Sequence, residues 1–124
     1  MKRILVIDDD DQVRRMIRQM LERAGYEVTD APDGEIGVRM HRAEPVDLII
    51  TDIFMPEKEG LETIRELRRD FPDIKIIAIS GGGSTGAFSY LPLAKSFGAL
   101  DTISKPFDRS ELLDSVKRLL DEQK

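Results

Sequence analysis

Short aliphatic runs alternate five times with stretches of helical periodicity, and this alternation constrains the fold more than any other feature of the chain. "RILVID" at residues 3–8 and the runs at 46–51 and 74–79 are nearly continuous in apolar or β-branched residues, the pattern of strands covered on both faces. Residues 26–30 and 99–104 read as two further short strands. After the first run, Val13, Met16, Ile17, Met20, Leu21 and Ala24 recur at helical spacing, and Gly25 is placed to end that helix. Pro32, Asp33 and Gly34 turn into a second helix of about ten residues that Pro45 closes. Leu61, Ile64, Leu67 and Arg68 mark a third, broken at Phe71-Pro72-Asp73. A fourth falls around residues 90–97, where Pro92 predicts a late start between Ser89 and Leu91. The last begins near Asp108, a predicted N-cap, and buries Leu112, Leu113, Val116, Leu119 and Leu120.

Five strand-then-helix units predict an α/β fold, a doubly wound parallel sheet with helices on both faces. Right-handed crossovers favour the flavodoxin-like (βα)5 strand order 2-1-3-4-5. At 124 residues the chain is expected to be one domain, residues 1–124. A formal charge of −5 removes any whole-chain basic footprint for nucleic acid, so no direct nucleic-acid binding is expected. No apolar run is long enough to cross a bilayer and no signal-peptide pattern follows Met1, so no membrane contact is expected. Cysteine is absent, which excludes disulfides and thiolate metal sites and suits a reducing, cytoplasmic setting.

In this topology the reactive crevice lies at the carboxyl ends of the strands. Asp8 and Asp9 follow the first strand, Asp52 the third, Ser80 and the glycine-rich "SGGGSTG" the fourth, and Lys105-Pro106 the fifth. Three carboxylates without cysteine or a nearby histidine suit a hard, oxygen-liganded cation such as Mg²⁺. Beside such an ion a carboxylate can attack phosphorus, while an ammonium and a hydroxyl receive the phosphoryl oxygens. Each residue also has a plainer reading. Asp10 and Asp11 read best as a solvated turn and helix N-cap, Ser80 alone as a turn residue, and Lys105 alone as a surface lysine lying along apolar neighbours. The glycine loop has no lysine in the P-loop position, which disfavours a Walker-type nucleotide site. His41, on the second helix and far from the crevice, is read as a packing or surface residue.

"VIDDD", "DLIITDIFMPEKEG", "IIAISG" and "SKPF", in this order and spacing, resemble the receiver domain of two-component response regulators. The resemblance covers almost the whole chain. It implies that Asp52 is the phosphoacceptor, and that Asp8, Asp9 and Asp52 hold Mg²⁺ with the Phe54 backbone carbonyl. Ser80 would be the switch hydroxyl, and Lys105, followed by a cis Lys105–Pro106 bond, the phosphate-binding lysine. The donor would be a phosphohistidine on a sensor histidine kinase or histidine phosphotransfer domain. The response would be a changed protein-interaction face around the fourth helix, fifth strand and fifth helix, read by an unknown downstream protein. Such a chain is a signalling switch that assists only its own phosphorylation and dephosphorylation, not an enzyme.

Three features depart from the family pattern. The Ser80-to-Lys105 spacing is longer than the usual receiver pattern by about three residues. Pro92 lies inside the fourth helical stretch. Thr102 stands where many receivers carry an aromatic, leaving Tyr90 or Phe88 as candidates for that part. Phe54 is expected to overhang the acceptor, opposite Gly82, and to slow hydrolysis. Arg14, Arg15 and Arg18 are expected on the outer face of the first helix, either as a solvated face or as a patch for a phosphohistidine domain. Two competing functions are weaker. A Mg²⁺-dependent aspartyl-phosphate phosphatase would need Asp8 and Asp10 to be followed by Thr or Val, where Gln12 stands. A degenerate receiver used as an unphosphorylated docking module is disfavoured by the intact Asp9, Asp52 and Lys105.

Overall fold

The computed structural model describes residues 2–53, 60–80 and 91–121. In chain order the elements are β1 (Arg3–Ile7), α1 (Asp11–Arg23), β2 (Glu27–Ala31), α2 (Gly34–Ala43), β3 (Leu48–Asp52), α3 (Gly60–Asp70), β4 (Lys75–Ser80), α4 (Leu91–Phe97), β5 (Asp101–Ser104) and α5 (Arg109–Asp121). The strands form one sheet in the order β2-β1-β3-β4-β5, every pairing parallel, as the alternation predicts.

Strand periodicity sorts the core into two layers. Ile4, Val6, Leu48, Ile50, Ile77 and Ile79 face Ile17 and Leu21 of α1 and Leu112, Val116 and Leu120 of α5. Their alternates Leu5, Ile7, Ile49, Ile76 and Ala78 face Val38 of α2, Ile64 and Leu67 of α3 and Ala94 of α4. Both faces of the central strands are therefore dry, which is why those runs are unbroken in apolar residues. Leu113 and Leu119, expected to be buried, are half-buried against the first layer.

The helix ends follow local chemistry. The Asp10 carboxylate accepts from the N–H groups of Gln12 and Val13, capping α1, and Gly25 takes the positive φ of +101° that turns the chain out of it. Asp33 caps α2 through the N–H of Ile36. Asp108 and Glu111 form a reciprocal capping box at α5, each side chain accepting from the other's backbone N–H. The fourth helix is described from Leu91, with Pro92 beside it; Ser89 and Tyr90, the rest of the predicted start window, lie outside the described residues.

Two strands, β3 and β5, start two residues later than the runs read from the sequence. The Val46 N–H is taken by His41 Nδ1 rather than by a neighbouring strand, so β3 begins at Leu48. Ala99 donates back to the Ala94 carbonyl and completes the end of α4, so the ladder with β4 opens only where Leu100 N–H reaches Ile76 O.

Candidate functional site

The register brings the strand ends level. Ile7 pairs with Thr51, Asp52 with Ile79, and Ser80 with Ser104. One step further on, Asp8 lies beside Asp52, and the Lys105 N–H donates to the Ser80 carbonyl at 2.8 Å. Residues remote in sequence thus meet on one rim because their strands stop together.

Carboxylate oxygens of Asp8, Asp9 and Asp52 lie within 4.8 Å of one another. Asp8 and Asp52 are only 1% and 6% exposed, while Asp9 is open to solvent. Lys105 Nζ bridges the buried pair, 3.2 Å from Asp8 Oδ2 and 3.3 Å from Asp52 Oδ2. The peptide bond between Lys105 and Pro106 is cis, as the resemblance implies. Ser80, 6% exposed, ends β4 on the same rim. Phe54, Gly82, Phe88, Ser89 and Tyr90 lie outside the described residues, so the expectations placed on them have no structural counterpart here.

Local packing fixes this geometry. The Asp8 carboxylate accepts from the Asp10 N–H at 2.9 Å, closing the turn between β1 and α1. Gly60 opens α3 with its backbone pressed on β3, where a Cβ would come within 1.9 Å of the Asp52 carbonyl oxygen. No larger residue fits without moving the strand end that carries Asp52. Burial raises the pKa of Asp8, and the nearby Asp52 charge adds to the rise; the Asp10 N–H and the Lys105 charge oppose it without cancelling it. Burial also works against the charge on Lys105. The combined attraction and hydrogen bonds of Asp52 and Asp8 override that penalty and hold its pKa above the ordinary lysine value.

The three arginines of α1 do not form one outward patch. Arg15 is exposed, but Arg18 is half-buried and pairs with Glu22 and Asp30. Arg14 turns back under the acidic turn, its Nη1 donating to the Asp8 carbonyl oxygen at 2.7 Å. Its Nη2 lies 2.6 Å from Asp11 Oδ1 and its Nε 3.5 Å from Asp30 Oδ2. The expectation of a three-arginine docking face fails because these carboxylates draw two of the three side chains inward. The available signal was the i,i+3 spacing of Asp11 and Arg14 at the start of a helix.

His41 lies where expected, away from the rim. It is 3% exposed, packed edge-on against Phe71 with ring centroids 4.5 Å apart. Thr102, at the position of the missing aromatic, pairs with Ala78. Its neighbour Asp101 accepts from Ser115 and Arg118 of α5, fastening β5 to that helix.

The sequence pattern of the response regulator receiver domain matches residues 4–117. The chain belongs to this receiver family. Among known proteins, the receiver is 36% identical over 120 residues to the response regulator receiver protein CpdR of Brucella abortus, covering 97% of this chain and 98% of CpdR. The structure of the response regulator TrrA from Thermotoga maritima, in complex with Mg²⁺ and BeF, superposes with a TM-score of 0.85 at 37% identity, covering 96% of this chain and 99% of TrrA. A receiver domain protein from Clostridium thermocellum superposes with a TM-score of 0.88 at 28% identity, covering 99% and 97% of the two chains. Other relatives are longer: the receiver spans 17% of the autoinducer sensor kinase/phosphatase CqsS of Vibrio cholerae and 13% of the sensor kinase CckA of Brucella abortus. It is a signalling module of two-component systems. Among the described residues, no helix is long and apolar enough to cross a membrane.

Proposed function

We propose that residues 1–124 act as one receiver domain that accepts a phosphoryl group on Asp52 from a phosphohistidine of a sensor kinase or histidine phosphotransfer domain. The reading rests on one observation: Asp8, Asp9 and Asp52 converge on a rim where Lys105 Nζ touches both buried carboxylates. The donor set fits Mg²⁺, being all carboxylate oxygen with no nitrogen or sulfur donor. Asp8, Asp9 and Asp52, with the Phe54 carbonyl, would hold the ion, which when bound would neutralise the acids and the incoming phosphoryl oxygens. TrrA, a relative of similar length, binds Mg²⁺ and BeF, which supports the same donors here.

In the transfer, an Asp52 carboxylate oxygen attacks phosphorus as the P–N bond to the histidine breaks. The released imidazole takes a proton from solvent, and an acyl phosphate remains. Lys105 already lies against Asp52 and can exchange a carboxylate oxygen for a phosphoryl oxygen with little reorganisation. Ser80 offers a hydroxyl to another oxygen from the end of β4. Drawing Ser80 toward the new charge would pull on the segment entering α4 and alter the face formed by α4, β5 and α5 for a downstream protein. The net charge of −5 favours a protein partner over nucleic acid, and a cytoplasmic location fits the absence of cysteine.

Exposure to acetyl phosphate and Mg²⁺, followed by peptide mass mapping, tests this reading. A single phosphoryl group on the peptide containing Asp52 is expected, dependent on Mg²⁺ and lost in Asp52→Ala. Labelling that persists in Asp52→Ala, or no labelling of the parent, overturns it.

A further inference from the structure

The four consecutive aspartates at residues 8–11 need positive charge nearby, and Lys105 answers only for the first of them. Arg14 answers from beneath. Its three guanidinium nitrogens reach three different elements: Nη1 the backbone oxygen of Asp8 after β1, Nη2 the carboxylate of Asp11 at the start of α1, and Nε the carboxylate of Asp30 in β2. Its side chain is only 17% exposed, and Asp30 is itself held from the other side by Arg18. The turn carrying Asp8 and Asp9 is therefore gripped at the Asp8 carbonyl by a rigid planar fork anchored to the neighbouring strand.

We infer that Arg14 is a positioning residue that sets the divalent-cation affinity of the acidic rim by fixing the Asp8–Asp9 turn from behind, with Asp30 as its anchor. The inference rests on the proposed metal site and adds to it a residue that touches neither ion nor phosphoryl group. Asp9 is where the effect concentrates. Asp8 has its own hold through the Asp10 N–H and Lys105. Among the described residues, no hydrogen-bond donor or cation is seen on the exposed Asp9 carboxylate, so its position follows the turn. Residues that orient ligands from behind commonly change metal affinity on the order of tenfold when removed.

The sign of the effect separates this role from simple charge. A nearby cation repels Mg²⁺, so if Arg14 acted only through its charge, removing it would tighten binding. If it orients the turn, removal weakens binding despite the charge relief.

Mg²⁺ binding is measured by titration calorimetry for the parent, Arg14→Gln, Arg14→Lys, Asp30→Asn and the Arg14→Gln/Asp30→Asn pair, at a temperature where melting curves show each folded. Arg14→Gln is expected to bind Mg²⁺ on the order of tenfold more weakly. Arg14→Lys should recover only part, because one ammonium cannot span three partners. Asp30→Asn should lose less, and the double variant no more than Arg14→Gln alone, since both act through one contact. In acetyl phosphate labelling, the half-saturating Mg²⁺ concentration should rise while the rate at saturating Mg²⁺ holds. Unchanged or tighter binding in Arg14→Gln overturns the inference; if that variant does not fold, unchanged or tighter binding in Asp30→Asn does so. A parent that fails to bind Mg²⁺ overturns the metal site itself, and this inference with it.

Discussion

Asp9 is the one carboxylate of the rim's three that lies open to solvent. It stands within 4.8 Å of two buried carboxylates, and Lys105 bridges those two rather than Asp9. Its charge therefore adds repulsion, and among the described residues no cation is seen in contact with its carboxylate. Exposure to water screens the repulsion, so its magnitude is at most on the order of 1 kcal/mol rather than several. Asp9→Asn should stabilise the chelator-treated protein by about that amount, read as a higher urea midpoint at unchanged slope. An unchanged or lower midpoint would show that the acids are already relaxed without metal. The residues of this rim were legible because each ends a strand or lies within two residues of its end, and strand ends are visible where an apolar run stops at a polar residue. Arg14 was not legible in the same way. Its helical position was plain, but the direction of a long side chain depends on Asp30, a carboxylate sixteen positions away that only the β1–β2 register brings near.

Elements were legible to within a few residues, and the errors have a common cause. Periodicity reports which residues are apolar, not which backbone groups join a ladder. Val46 and Ala99 are apolar, yet the first spends its N–H on a histidine and the second on a helix end instead of a neighbouring strand. His41 shows what such a contact does between elements. Its Nδ1 accepts the Val46 N–H, tying the last turn of α2 to the approach to β3, and burial with the adjacent Arg42 charge lowers its pKa below 6.5. Protonation would place a donor against a donor in a dry site. Because the folded pKa is depressed, the stability is fully present above 6.5 and declines as pH falls from there through the folded value. The chain has one histidine, so the difference between parent and variant urea midpoints from pH 7 to 5.5 isolates this residue. The parent should lose stability on acidification across that window while His41→Gln, which can still accept from Val46, stays nearly flat. Parallel profiles for the two proteins would remove His41 as the cause.

At the scale of the whole molecule, an ion held by the acid rim would make folding and metal binding one equilibrium. The sheet forces the carboxylates together, since their strands end level and both core layers are dry. Unfolding releases them, so an ion that binds the assembled rim binds the folded state alone. Such a ligand stabilises by RT ln(1 + [L]/Kd), about 2.7 kcal/mol at a hundredfold excess over Kd. For a chain of this size that corresponds to a rise in Tm of roughly 10 °C. Sodium chloride at matched ionic strength screens repulsion without occupying the rim and should give a much smaller rise. Asp9→Asn should begin from a higher Tm in chelator and lose most of the Mg²⁺ response, so that the two melting curves converge as Mg²⁺ is added. A Tm rise that sodium chloride reproduces, or one that survives intact in Asp9→Asn, would mean that Mg²⁺ acts as bulk salt and that the convergence of Asp8, Asp9 and Asp52 is not a binding site.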